Sequence, residues 1–196
     1  MSYDVEGFDG PVAFDRGTSL LSTGAAALTD ERLLDVVAPD AGETAIVITT
    51  DTGASQVAEE LQRRGADPDQ VGIIDCTSRD AEVEDVRVRQ LSSPGDLTGI
   101  SLEFAKLLDE DDDPTDVRVG FASISTVLMY SEEQTLFRFL HVFTARISSA
   151  DMFGAFAMDP GMHDEKAYHT IRAVFDAEAE ATADGLTSLR GSGFTR

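Results

Sequence analysis

Apolar and β-branched runs of strand length alternate along this chain with segments whose apolar positions recur at helical spacing. The runs occupy residues 18–22, 44–49, 71–75, 86–91, 117–122 and 152–158. The helical segments occupy 30–37, 53–64, 97–109, 132–149 and 164–175. The order is mostly strand, helix, strand, which predicts an α/β fold on a largely parallel sheet.

The long helical segment after Tyr130 shows its register. Ser131 is read as the N-cap, with Gln134 answering from the third position in a capping box. Leu136, Leu140, Phe143 and Ile147 then fall on one stripe, while Arg138 and Arg146 point elsewhere. Phe137, Phe139 and Phe143 read as core packing, because this helix has a sheet to cover, and His141 reads as a packed residue of the same helix.

Past residue 175 the pattern changes. AEAEAT and LTSLRG flank an Asp-Gly pair at Asp184 and Gly185, a hairpin turn signal, so an antiparallel pair is expected at the sheet edge. The acidic run at 109–113 lacks the glycine and distal glutamate of a calcium loop and reads as a solvated loop. At 196 residues the chain is long enough for one domain with a sizeable core. That domain is expected to span 1–196, with 1–15 as an N-terminal extension and 191–196 as a tail that frays.

Charge adds an environment to this picture. There are 37 acidic residues against 15 basic ones, for a net charge of -22, and the only lysines are Lys106 and Lys166. In dilute salt such a chain repels itself, whereas in molar salt the screening length falls to about 3 Å. The composition therefore fits a salt-saturated cytoplasm of the halophilic archaeal kind. Arg63 with Arg64 and Arg87 with Arg89 each sit among acids, so the clustered cations that a nucleic-acid backbone demands are missing. No apolar run approaches 18 residues and the N-terminus MSYDVEGFDG has no signal-peptide character, so a cytoplasmic protein without a membrane segment is expected. Cys76 is the one cysteine and follows VGIID, which places it at a buried strand end.

Four stretches carry a resemblance. GTSLLSTG before a helix, TAIVITTDTGASQVAEELQRRG, VRVGFASISTVLMYSEEQTLFRFLHVFTARI and MFGAFAMDPGMHDE together resemble the RecA/KaiC/RadA superfamily of P-loop ATPases. The likeness is greatest to a haloarchaeal branch implicated in signal transduction and covers the chain from about Gly17 to about Arg190. It implies a RecA-like fold: a twisted, mostly parallel sheet with helices on both faces and a nucleotide cleft at the strand C-termini.

The active-site positions that the resemblance implies are replaced. A phosphate loop requires G-x-x-x-x-G-K-[ST], with lysine for the phosphates and a hydroxyl for Mg²⁺. Counting from Gly24, Thr29 stands for the second glycine, Asp30 for the lysine and Glu31 for the hydroxyl. Like charges about 4 Å apart repel by about 4 kcal/mol at an effective dielectric near 20. Thr29 or Asp30 instead suits a helix N-cap, with Asp30 and Glu31 near the positive end of the helix dipole. Ala122 falls where the family holds its metal-orienting aspartate. Asp51, at the strand end where the family places a catalytic glutamate, reads as a turn or cap residue before Gly53.

Other chemistry is thin. His163 and His169 are six residues apart and do not share a helix face as a zinc pair would, and no serine lies in a nucleophile elbow. No catalytic residue, metal or cofactor is assigned. The leading expectation is a non-catalytic pseudo-ATPase scaffold, binding a protein partner or an active ATPase paralogue, or forming a homo-oligomer. Pro94, Gly95, Asp96 and Leu97 are the candidate partner surface; for the same segment, Asp96 also reads as a helix cap and Leu97 as a core contact. The alternatives are a nucleotide sensor or weak ATPase using the modified cleft, and a recombinase paralogue, which the charge opposes.

Overall fold

The computed structural model describes residues 1–79, 82–110 and 116–196. Residues Asp111 to Asp113 of the acidic run lie outside them.

Among the described residues the central sheet has eight strands. In chain order they are β3 (Ser19–Thr23), β4 (Thr44–Thr49), β5 (Val71–Asp75), β6 (Arg87–Gln90), β7 (Val117–Ala122), β8 (Phe153–Met158), β9 (Ala177–Thr182) and β10 (Gly185–Gly191). Their spatial order is β10-β9-β3-β8-β7-β4-β5-β6, parallel throughout except for the β9–β10 hairpin. Strands β3, β5, β7 and β8 are buried at every position, which is why their sequences show no alternation of a core face with a solvent face. The expected parallel sheet with an antiparallel C-terminal pair is thus the observed one.

Among the described residues six helices cover the sheet: α1 (Ala26–Val37), α2 (Ala54–Arg63), α3 (Leu97–Asp109), the short α4 (Ile124–Val127), α5 (Glu133–Ser149) and α6 (Glu165–Arg172). Leu33 and Val36 of α1 join Val57 and Leu61 of α2 in one core, while Phe104 of α3 joins Leu140 and Phe143 of α5 in the other. Phe137 and Phe139 pack against that second core, half-buried.

Several local expectations need correction. Ser131 does not cap α5: Glu132 holds the cap position, and the Ser131 hydroxyl donates to the Val127 carbonyl at 3.1 Å, closing the turn after α4. His141 is exposed, its ring stacked on Phe137 at 6.3 Å, because it lies on the opposite side of α5 from the Leu140–Phe143 stripe.

The residues at both chain ends are also structured. β1 (Ser2–Val5) and β2 (Val12–Asp15) form a hairpin, and β11 (Phe194–Thr195), in the tail expected to fray, pairs with the free side of β2. Phe14 is fully buried between the rings of Phe8, Phe153 and Phe194, at 5.9, 4.9 and 6.0 Å. A two-residue strand carries too little periodicity to be read from sequence; one aromatic ring anchors it.

Under this small sheet Arg118 of β7 is sealed, with 2% of its side chain exposed. It donates to Glu43 at 2.5 Å, to Asp40 at 3.1 Å, and to the carbonyls of Val36 and Asp4 at 3.2 and 2.8 Å. The guanidinium therefore ties the end of α1 and strand β1 to the sheet.

Candidate functional site

Strand β3 reaches the C-terminal edge of the sheet at Thr23, and α1 starts at Ala26, so Gly24 and Ala25 alone connect them. Gly24 adopts φ +149°, and a Cβ there would sit 3.0 Å from the Ala181 carbonyl oxygen. Close passage beside β9 is what requires glycine at this position. The Gly24 N–H donates to the Met158 carbonyl at 3.2 Å, and the Ala26 N–H donates to Asp159 Oδ2 at 3.2 Å. Asp159 is itself fixed: its N–H donates to Ser125 Oγ at 2.9 Å, and its Oδ1 accepts from the Gly161 N–H at 2.9 Å.

The helix therefore begins one turn before the expected start at residue 30. Thr29 and Asp30 are not caps. Thr29 is buried inside the helix, its hydroxyl donating to the Ala26 carbonyl at 2.9 Å, and Asp30 and Glu31 lie in the second turn. The Ala-Ala-Ala-Leu run is strong helix former, and the carboxylate that meets the first turn comes from Asp159, 133 positions away. No local signal in residues 24–31 could have revealed it.

The start of α2 follows the same plan. Asp75, fully buried at the end of β5, accepts from the Ala54 N–H at 2.8 Å through one oxygen and from the Thr77 N–H at 2.8 Å through the other.

Between α1 and α2, over the ends of β4 and β7, lies a cavity of about 420 Å³. Asp30, Glu31 and Glu60 give it carboxylates, and Thr49, Thr52 and Gln56 give it neutral polar groups. Leu34, Val47, Val57 and Ala122 form its apolar wall. The structure thus brings Asp30, Glu31 and Ala122 together around one space. The Ala122 carbonyl is occupied, accepting from the Thr50 N–H at 2.8 Å and the Thr50 hydroxyl at 2.9 Å, so the position contributes only a methyl group.

Asp30 and Glu60 are pushed in opposite directions. Desolvation, reinforced by the nearby charge of Asp51, raises the Asp30 pKa to about 7, and Asp30 Oδ1 is buried without a hydrogen-bond partner. The hydrogen bond from Arg64 holds the Glu60 carboxyl below its usual range. Arg64 also donates to Asp35 at 2.8 Å, so its charge is shared between Glu60 and Asp35. The cation of the cavity is spent on two other acids.

Asp51 lies outside this space. It is exposed, and it lines a separate pocket of about 320 Å³ with Cys76, Thr77, Arg79, Pro94 and Tyr130. Of the candidate surface segment, Pro94 and Leu97 are buried, and Gly95 packs against Tyr130. The Asp96 side chain caps α3, accepting from the Gly99 N–H at 2.9 Å.

Burial and the neighbouring charges of Asp75 and Asp96 push the Cys76 thiol up to about 12. Thiolate is the reactive form. At pH 8 the native protein is therefore expected to resist alkylation by iodoacetamide, and urea-unfolded protein to be labelled at once. Equal labelling of both states, followed by intact mass, would show that the site opens.

Among the described residues no helix is long and apolar enough to cross a membrane. Sequence reasoning missed Asp75, Asp159, Gln56 and Arg64, whose roles depend on contacts between distant segments.

The architecture has solved counterparts. A KaiC-like protein, PH0186, from the hyperthermophilic archaeon Pyrococcus horikoshii OT3 superposes with a TM-score of 0.66 at 16% identity, covering 97% of this chain and 90% of its own. A second Pyrococcus horikoshii OT3 protein, solved under the project identifier PH0250, gives a TM-score of 0.61 at 12% identity, covering 91% and 88%. At such identities the likeness is one of fold, and the fold is the KaiC-like, RecA-type α/β architecture. No curated protein is similar in sequence. A family does match, over residues 17–181, and the chain belongs to it: DUF7504, described as a family of unknown function.

Proposed function

We propose that this chain is a non-catalytic RecA/KaiC-like domain, a pseudo-ATPase that works by binding another protein in a signalling or regulatory assembly of a salt-adapted archaeon. One observation carries the reading: the first-turn N–H of Ala26 is bonded to the carboxylate of Asp159. Helix N-termini bind phosphate through such N–H groups and the helix dipole, and here a protein anion already holds that place. The two-residue connection Gly24–Ala25 is also too short for a loop that wraps a phosphate.

Downstream of it, the cleft offers Asp30 and Glu31 where phosphoryl transfer calls for lysine and a magnesium ligand, and the methyl of Ala122 where it calls for a metal carboxylate. Arg64, which also lines the cleft, is already paired with Asp35 and Glu60. Loss of these groups alongside an intact core fits retention of the fold as a scaffold, and the charge of -22 favours partners with basic surfaces.

Thermal unfolding in molar potassium chloride, with and without Mg-ATP, Mg-ADP or Mg-GTP, tests the reading. A ligand at a hundred times its dissociation constant stabilises a native state by about 2.7 kcal/mol. For this size of protein that corresponds to a rise of about 5 to 10 °C. The expected result is no rise with any nucleotide. A rise that Asp159→Ala enlarges would replace the scaffold with a nucleotide sensor.

A further inference from the structure

We propose that the outer face of helices α3 and α5 docks an acidic amphipathic helix of a partner protein, whose apolar stripe lies on Leu102 and Val142 and whose carboxylates meet Arg138 and Arg146. The proposal rests on the protein-binding reading above and says where the partner sits.

The sequence sets α5 apart first. No Asp or Glu occurs between Glu133 and Asp151, although acids make up 37 of the 196 residues. Burial does not account for the gap, because Thr135, Arg138, Val142, Ala145 and Ser149 are all exposed. Other helices of this chain put carboxylates in solvent: Glu31 on α1, Glu59 on α2, Asp109 on α3 and Glu165 on α6. Exposed carboxylates hold water at a surface and keep other proteins off it; a face without them is one that another protein can cover.

Large apolar side chains gather on the same side. Val142 is 68% exposed and Leu102 54%, while Met129 and Tyr130, at 69% and 60%, stand in the turn that leads into α5. Contiguous apolar exposure of this kind, with Met, Tyr and Arg among its members, has the composition of an interface. Helices α3 and α5 lie side by side there: the rings of Phe104 and Phe143 are 4.8 Å apart, and the Arg146 guanidinium sits over Phe104 at 5.3 Å. Each helix presents a ridge at i, i+4, i+8 spacing, Thr98, Leu102 and Lys106 on α3 and Arg138, Val142 and Arg146 on α5. Both ridges have an apolar residue at the centre, and adjacent ridges of helices accept a further helix.

Charge selects the occupant. Lys106 is neutralised by Glu103 at 2.7 Å, but among the described residues no carboxylate pairs with Arg138 or Arg146. The two arginines are separated by about 12 Å along the helix axis, so carboxylates two turns apart on a docked helix reach both. A second copy presenting this same face fits badly, because antiparallel pairing centred on Val142 would set Arg138 against Arg146. A nucleic acid would demand more cations than these. The net charge of -22 does not oppose an acidic partner in molar salt, where a screening length of about 3 Å leaves only contact charges to act.

The probe is a display library of stapled four-turn helices, with leucines along one stripe and Glu, Gln or Lys varied beside it, selected on the full chain in molar potassium chloride. Peptides retained by Val142→Asp are removed first, so that survivors report this face. Survivors are expected to carry Glu at positions two turns apart and to shift the amides of Leu102, Arg138, Val142 and Arg146. Their affinity should fall at least tenfold for Arg138→Glu, and Lys in place of Glu should restore binding to that variant, a rescue that a damaged fold could not give. Both substituted side chains are exposed, so melting temperatures are expected to stay unchanged. Survivors that carry Lys, Glu survivors that bind Arg138→Glu unchanged, or no survivors at all would each overturn the proposal. So would self-association of the chain, seen by sedimentation, that Val142→Asp abolishes, since the face would then belong to a second copy. A nucleotide-induced rise in melting temperature alongside a failed selection strikes both readings. A failed selection without a nucleotide response strikes this one alone.

Discussion

Asp30→Asn is expected to make the protein more stable at pH 8, raising its melting temperature by up to about 10 °C. A carboxyl whose pKa moves from 3.8 to about 7 on folding carries a cost of about 4 kcal/mol once it is ionised. The sign follows from proton uptake. Between pH about 4 and about 7 the folded state keeps a proton that the unfolded chain has released, so stability falls as pH rises through this window. Above pH 7 the whole cost is present, and the amide, which never ionises, escapes it. Melting curves from pH 4 to 9 should show the wild type losing stability relative to Asp30→Asn up to pH about 7 and running parallel to it beyond. Because desolvation is the larger cause, ahead of repulsion by Asp51, molar salt should remove only a minor part of the difference. A variant no more stable than wild type at pH 8 would mean that Asp30 finds a donor in solution.

Arg118→Met is expected to act in the other direction, lowering stability by about 3 kcal/mol in denaturant unfolding, within the range for removing one partner of a buried charge pair. The thioether fills much of the same volume, so the loss comes from polar groups. The Glu43 carboxylate and the Val36 and Asp4 carbonyls each give up a donor. Glu43→Gln keeps a hydrogen-bond acceptor and should cost less than half as much. Hydrogen exchange should localise the damage: strands β1 and β2 are expected to exchange faster in Arg118→Met, while β4 and β5 keep their protection. Uniform loss across the sheet would mean that Arg118 supports the core as a whole.

Much of the architecture was legible because parallel strands buried on both faces write themselves as apolar runs. TAIVIT and VGIID needed no tertiary information, and the Asp184-Gly185 turn marked the closing hairpin. What was illegible shares one physical cause. Asp159 at the start of α1, Asp75 at the start of α2 and Phe194 on Phe14 are contacts between segments far apart in the chain, and each substitutes for a local signal that would otherwise be needed. Thr29 and Asp30 are side chains that commonly cap, yet Asp159, just past the end of β8, lets the alanine run wind into helix earlier. For the candidate site the same cause applies. Asp30 and Glu31 were identifiable as unusual by position, but the orphaned oxygen and the diversion of Arg64 to Asp35 belong to the packed state.

The pairing of β11 with β2 also bears on when this molecule can finish folding. Residues 194 and 195 meet residues 14 and 13, joining segments far apart in the chain. Contacts of such long sequence separation delay the final closing step, since the intervening chain must be ordered before they become favourable. The ring of Phe14 therefore stays uncovered on its Phe194 side until residues 194 and 195 have joined β2, and folding intermediates would carry that apolar edge exposed to one another.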